Sequence, residues 1–117
     1  MIRVYELMII FDGDVPDADV QAQLTKVDAT VVAGGGKVAT TDHWGKRRFA
    51  YEINHKWEGT YVVLEIVTEA RDLHDVERML RLADEVVRHK LMRLPDDEAT
   101  RRGLLGDAPA AATAAAE

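Results

Sequence analysis

The chain has 117 residues and no cysteine, with 15 Lys and Arg against 21 Asp and Glu, a net charge of −6. This length suffices for one hydrophobic core, and the absence of cysteine excludes disulfides, thiolate metal sites and cysteine nucleophiles. Because no signal-like region opens the sequence and no apolar run approaches the ~20 residues that span a bilayer, we expect a cytoplasmic protein without a membrane segment.

The first half of the chain predicts a strand, a helix and a second strand. Residues 2–11 alternate with period two and are apolar on both sides, which is typical of a central strand. The helix begins near Pro16, and its apolar stripe consists of Val20, Leu24, Val27 and Val31. It ends at the triple glycine 34–36, which follows a helix and lacks G-K-[ST], so we interpret the glycines as a turn and not a phosphate loop. Residues 37–53 predict a long strand with a bulge or bend at Gly45.

Within that second strand, the alternation predicts that Phe49, Tyr51 and Ile53 anchor the core. Residues 54–59 then predict a hairpin connection, in which Gly59 supplies a positive φ.

The second half repeats the order of strand, helix and strand. Residues 60–67 are again apolar on both sides and predict a second central strand. Asp72 is a candidate N-cap of a helix, and residues 86–94 predict the last strand. The apolar stripe of this helix consists of Leu73, Val76, Met79 and Leu80.

The order β-α-β-β-α-β predicts an α+β fold, a ferredoxin-like sandwich in which a four-stranded antiparallel sheet carries both helices on one face. We expect this domain to cover residues 1–94, and the Ala-rich residues 95–117 to form a disordered tail. Two helices cover only one face of the sheet. The other face is expected to carry apolar and cationic side chains of neighbouring strands, namely Met8, Ile10, Tyr61, Val63, Arg48, Arg88 and Lys90.

Catalytic and metal chemistry find little support in the sequence. His43 lies beside Asp42, but adjacent strand residues point to opposite faces, so the pair is poorly placed as a base and its orienting acid. The histidines lack a ligand spacing such as H-x-x-x-H, and His89 is interpreted as lying at the core edge. We therefore expect no enzyme activity, no metal and no cofactor.

Cations cluster at Lys46-Arg47-Arg48, and again between Arg88 and Arg93. One interpretation is contact with a phosphate or a partner protein, and the other is an edge strand protected from aggregation by its charges. An RNA-recognition motif shares the predicted topology, but the segment Gly59 to Leu64 offers only Tyr61 where that motif has several aromatic residues. Base stacking on the sheet is therefore disfavoured.

Over residues 3–94 the chain resembles bacterial small-subunit ribosomal protein six. The resemblance rests on Tyr5-Glu6, Gly35-Gly36, the run from Trp44 to Ile53 (WGKRRFAYEI), Glu58-Gly59-Thr60-Tyr61, and Val86-Val87-Arg88 with Lys90 and Arg93. The chain departs from many members at Ala83-Asp84, where they have Asn-Glu.

The resemblance implies a structural protein of the ribosome that pairs with small-subunit ribosomal protein eighteen and, with it, binds the central domain of 16S ribosomal RNA. It implies no catalytic role and no small-molecule substrate. The implied partner-facing sheet surface comprises Met8, Ile10, Tyr61 and Val63, and the implied RNA or partner contacts are Arg3, Lys46, Arg47, Arg48, Arg88, Lys90 and Arg93. The competing hypothesis is a regulatory or small-molecule-binding module that forms a homodimer through its open sheet face.

Overall fold

The computed structural model describes residues 2–53, 56–70 and 73–104. These residues form, in chain order, β1 (Arg3–Asp12), α1 (Asp17–Ala33), β2 (Lys37–Ile53), β3 (Lys56–Thr68), α2 (His74–Leu82), β4 (Val86–Arg93) and α3 (Asp96–Arg101). The strands make one antiparallel sheet in the order β2-β3-β1-β4. The ferredoxin-like α+β prediction is confirmed, with β1 and β3 in the centre.

One face of the sheet packs against α1 and α2. Leu7, Ile9 and Phe11 of β1 are fully buried there, because every second residue of the strand points to the helices. The α1 stripe that meets them consists of Val20, Leu24, Val27 and Val31, and α2 contributes Val76 and Leu80 with Met79 beside them. The predicted helix stripes are thus confirmed. Removing this apolar surface from water is the main stabilising term of the domain.

The opposite side of the sheet is called the open face. It carries the alternate residues Val4, Glu6, Met8 and Ile10 of β1, their β3 partners Val67, Glu65, Val63 and Tyr61, and Arg88, Lys90 and Met92 of β4. A third helix covers one end of this face, since Leu94 and Ala99 are buried against Val4, with Val67 and Leu104 packed beside them.

The predicted domain boundary at residue 94 therefore needs correction. Pro95 is the N-cap of α3 and does not end the folded part, and residues 96–101 are helical where a disordered tail was expected. Glu98 accepts hydrogen bonds from Arg101 and Arg102, which supports the helix locally. Residues 105–117 of the predicted tail lie outside the described residues.

The hairpin between β2 and β3 also differs from the prediction. Strand β3 begins at Lys56, so Gly59 lies inside a strand, where it pairs with Asp12 on one side and Arg47 on the other. Gly59 is not among the positive-φ glycines, whereas Gly45 is, with φ +88° at the predicted bulge. Gly59 is required for space: a Cβ there would lie 2.6 Å from Ile10 Cγ2 and 2.8 Å from Phe49 Cζ.

The end of β2 does not join the core as predicted. Phe49 is buried, but against Gly59 and Tyr61 and not among the helix-facing core residues. Tyr51 is 63% exposed and Ile53 is half-buried. Helix α2 has Leu73 at its N-cap position, and Asp72, the predicted cap, lies outside the described residues.

Gly59→Ala is expected to destabilise the protein by about 1–3 kcal/mol, the usual cost of overpacking a well-filled site. The added methyl group would meet Ile10, Phe49 and the Phe11 carbonyl at less than 3.0 Å. Urea unfolding measures the loss. Gly34→Ala is the matched control, because its Cβ would meet only ordinary contacts at 3.7 Å; an equal effect of the two substitutions would contradict this account of Gly59.

Asp12 is expected to make folding stability fall on the acid side. The Asp12 carboxylate accepts a hydrogen bond from the backbone N–H of Asp14, and Lys56 Nζ lies 2.9 Å from Asp12 Oδ2. Together these contacts hold the pKa of Asp12 below its usual value. The contribution is therefore present above the unfolded-state pKa of about 3.9 and is lost as pH falls through the lower folded-state pKa.

This dependence is measured by urea unfolding of wild type and Asp12→Asn between pH 2 and 7. We expect the two stability curves to converge at the acid end and to separate above the unfolded-state pKa, with the variant less stable. Asp28→Asn, on the exposed side of α1, is the control. Curves that stay parallel for Asp12→Asn would contradict the prediction.

Candidate nucleic-acid and partner interface

A groove of about 390 Å³ lies on the open face, between the sheet and the end of β2. Its lining comes from β1, β2, β3 and β4, so the tip of β2 curves over the face and does not continue flat beyond it. The lining residues are Met8, Ile10, Arg48, Phe49, Ala50, Tyr51, Ile53, Tyr61, Arg88, His89 and Lys90.

The floor of the groove is apolar and aromatic. Tyr61 lies edge-on to Phe49, with ring centroids 6.3 Å apart and an interplanar angle of 63°, a favourable arrangement of two aromatic rings. Met8 and Val63 are half-buried neighbours in the β1–β3 register, but Ile10 is only 5% exposed, because Phe49 packs over Gly59 beside it. Ile10 therefore supports the floor and offers little surface to a partner.

Cations surround this floor. Strand register places Arg88 opposite Ile10 and Lys90 opposite Met8, both exposed on the open face as predicted. Arg48 completes the cationic lining from β2. Among the described residues, none of these three cations has a carboxylate within ion-pair distance. Their charges are available to an anionic ligand.

Arg47 and Arg48 each rest on a tryptophan. The Arg47 Cζ atom is 5.4 Å from the centroid of Trp44, and the Arg48 Cζ atom is 5.8 Å from that of Trp57. Trp44 in turn stacks on Tyr61, with an interplanar angle of 7°. Both tryptophans remain about half exposed.

Three of the seven predicted cations lie elsewhere. Arg3 on β1 and Arg93 on β4 occupy strand positions that point away from the open face. Each has a local partner: Arg3 donates to the Glu69 carbonyl, and Arg93 lies 3.8 Å from Asp96. Lys46 pairs with Thr60, whose β1 neighbour Phe11 points to the helices. The structure therefore brings Arg48, Arg88 and Lys90 to the groove. Arg47 lies beside the groove on Trp44, which stacks on Tyr61 of the groove lining, and the other three cations are separate.

The far end of the open face is closed by an ion network around Arg102. Its guanidinium contacts Glu6 at 2.9 Å, Glu65 at 2.7 Å and Glu98 at 2.7 Å. Hydrogen bonds to Glu98, Glu65 and Glu6, in that order, raise the pKa of Arg102. Thr40 also donates to Glu65, at 2.7 Å. This network joins α3 to both central strands, and nothing in the sequence of residues 98–102 alone indicates it.

The histidines and acids of the described residues do not assemble a metal site: no group of three or more lies close enough to hold an ion. His89 Nε2 is 3.4 Å from Glu77 of α2 and is mostly buried, at the core edge where it was predicted. None of the described helices is long and apolar enough to cross a bilayer.

Comparison with known proteins identifies the family. The profile of the family "Ribosomal protein S6" matches residues 4–93. The chain is 44% identical over 94 residues to the small ribosomal subunit protein bS6 of Beutenbergia cavernae, covering 80% of this chain and 97% of that protein. It is 38% identical over 93 residues to the bS6 protein of Carboxydothermus hydrogenoformans, with the same coverage of both chains.

A solved structure agrees with the sequence relatives. The crystal structure of 30S ribosomal protein S6 from Thermotoga maritima superposes with a TM-score of 0.77 at 30% identity, covering 87% of this chain and 96% of that one. The chain therefore belongs to the ribosomal protein S6 family, whose members are structural, non-enzymatic components of the small ribosomal subunit in the cytoplasm.

Proposed function

We propose that this protein binds the central domain of 16S ribosomal RNA together with small-subunit ribosomal protein eighteen. The observation that carries the proposal is the pairing, on one face, of an apolar groove with cations that have no carboxylate partner in the part of the chain that the structure describes. Arg47, Arg48, Arg88 and Lys90 supply the phosphate contacts, and the groove floor around Met8 and Tyr61 accepts the partner protein.

The charge distribution explains why a partner is needed. Four cations on a protein of net charge −6 make a small phosphate-binding surface, so RNA affinity of the protein alone is low. Phosphates do not bury the apolar surface of the groove. A protein partner that fills the groove removes this surface from water. The two proteins then present one composite surface to the RNA.

The acids lie mostly away from this face. Helix α1 exposes Asp17, Asp19 and Asp28 on the opposite side of the sheet, and Glu6 and Glu65 of the open face are bound by Arg102. The net charge therefore does not describe the groove, whose lining contains Arg48, Arg88 and Lys90 and no carboxylate. This separation favours approach of the RNA from the open face.

The cations are tested by measuring binding to a central-domain RNA fragment across a salt series, with and without protein eighteen. We expect weak binding alone and tight binding with the partner. Arg47→Ala and Arg88→Ala should each weaken binding and reduce the slope of log affinity against log salt by about 1, as loss of one phosphate contact does.

The matched control is Arg81→Ala, which removes an exposed arginine from the end of α2 on the other face. It should leave both affinity and slope unchanged. Equal effects of all three substitutions, binding that is insensitive to salt, or no RNA binding by the pair would each contradict the proposal.

The groove is tested by Met8→Asp, which places a charge on its floor. Lys90 lies opposite Met8, but burying a carboxylate under an apolar partner is costly even beside a cation. The affinity for protein eighteen, measured by calorimetry without RNA, should therefore fall at least about tenfold. Leu82→Asp, at a 73% exposed position at the end of α2, is the control and should bind normally. Normal binding by the Met8 variant, with its fold confirmed by its unfolding midpoint, would place the partner elsewhere.

A further inference from the structure

Arg47 and Arg48 differ from the cations of the described residues that form ion pairs. Arg93, Arg101, Arg102 and Lys56 are held by carboxylates, whereas Arg47 and Arg48 lie on tryptophan rings and have no carboxylate partner among the described residues. A guanidinium held on an aromatic face keeps its N–H groups free at its edge. Such an arginine has its position fixed while its hydrogen-bonding capacity remains unused.

The contact between Arg47 and Trp44 depends on the bulge. The two residues are three positions apart, so in a regular strand their side chains would point to opposite faces. The register of β2 on β3 shifts between His43 and Gly45, which leaves Trp44 as the extra residue. Gly45 has φ +88°, and nothing lies within 4 Å of a Cβ at this position, so its glycine serves the backbone conformation and not the packing. The bulge thereby brings the indole and the guanidinium to one side.

The Trp44 ring is itself held in place. Its Nε1 donates to Asp42 Oδ2 at 3.1 Å, and the ring stacks nearly parallel to Tyr61, the β3 residue paired with Gly45. These two contacts restrict the orientation of the Trp44 ring on which Arg47 lies. Trp57 lies beneath Arg48 from the neighbouring strand, because Arg48 pairs with Glu58, the next residue of β3.

We propose that Trp44 and Trp57 are positioning residues that hold the guanidinium planes of Arg47 and Arg48 for bidentate contact with RNA phosphates, an inference that rests on the proposed function. The planar fork of arginine matches two phosphate oxygens, and a guanidinium that is already oriented loses less freedom when it binds. Lysine at either position would keep the charge and lose the planar fork.

The test is a double-mutant cycle on the complex with protein eighteen and the RNA fragment. Trp44→Leu should weaken RNA binding about 2- to 5-fold, the size of an exposed cation–π contact, while Trp44→Phe retains most of the affinity. In the Arg47→Ala background, Trp44→Leu should have no further effect, because its only route to the RNA is through Arg47. Trp57→Leu and Arg48→Ala form the second, parallel cycle.

Salt dependence separates support from direct contact. Trp44→Leu should leave the salt slope unchanged, since the Arg47 charge remains, whereas Arg47→Ala reduces it by about 1. The inference is overturned if Trp44→Leu weakens binding equally with and without Arg47, which would mean that the indole itself contacts the RNA. It is also overturned if Trp44→Leu has no effect while Arg47→Ala does.

A measurement on the free protein separates this inference from the proposed function. The order of the Arg47 side chain, followed by NMR of its Nε–H group, should fall in Trp44→Leu and recover in Trp44→Phe, with the unfolding midpoint checked for each variant. Unchanged order would overturn the role of Trp44 even if the complex binds RNA. An ordered Arg47 in a complex that binds no RNA would instead refute the proposed function and, with it, the phosphate contact.

Discussion

The pairing of β1 with β3 is the constraint on which the rest of the molecule depends. Both strands carry apolar residues on both sides, and their register sets Leu7 beside Leu64 on the helix side and Met8 beside Val63 on the other. A shift of the register by one residue would turn the strand residues that pack on α1 and α2 towards the open face, where they would meet solvent. The same register therefore determines the core and the surface that is left for a partner.

Much of the fold follows from local patterns. Period-two alternation in both central strands and the apolar stripes of α1 and α2 were sufficient to predict the topology, because these signals come from residues close in sequence. Gly45 was predicted for the same reason, since a glycine within a strand marks a bulge. Gly59 was misinterpreted because its requirement is non-local: the atoms that exclude a side chain belong to Ile10 and Phe49.

The candidate site was only partly predictable. The clusters of cations are visible in the sequence, but clustering alone does not say which face of the sheet each cation occupies. Arg88 and Lys90 lie on the open face, whereas Arg3 and Arg93 occupy strand positions that point to the other face. Helix α3 was missed because its composition indicates disorder, and its stability comes from Val4 and from the carboxylates of Glu6 and Glu65, which are distant in sequence. The family assignment favours a ribosomal protein over a stand-alone regulatory module.

Helix α3 makes the two ends of the open face different, because it covers only one of them. The groove lies at one end of this face, and Arg102 with its three carboxylates covers the other end. A segment docked on the open face from the tip of β2 past Met8 and Val63 would meet the side chain of Arg102. A longer segment docked on this face would require α3 to leave Val4 and its ion pairs with Glu6 and Glu65.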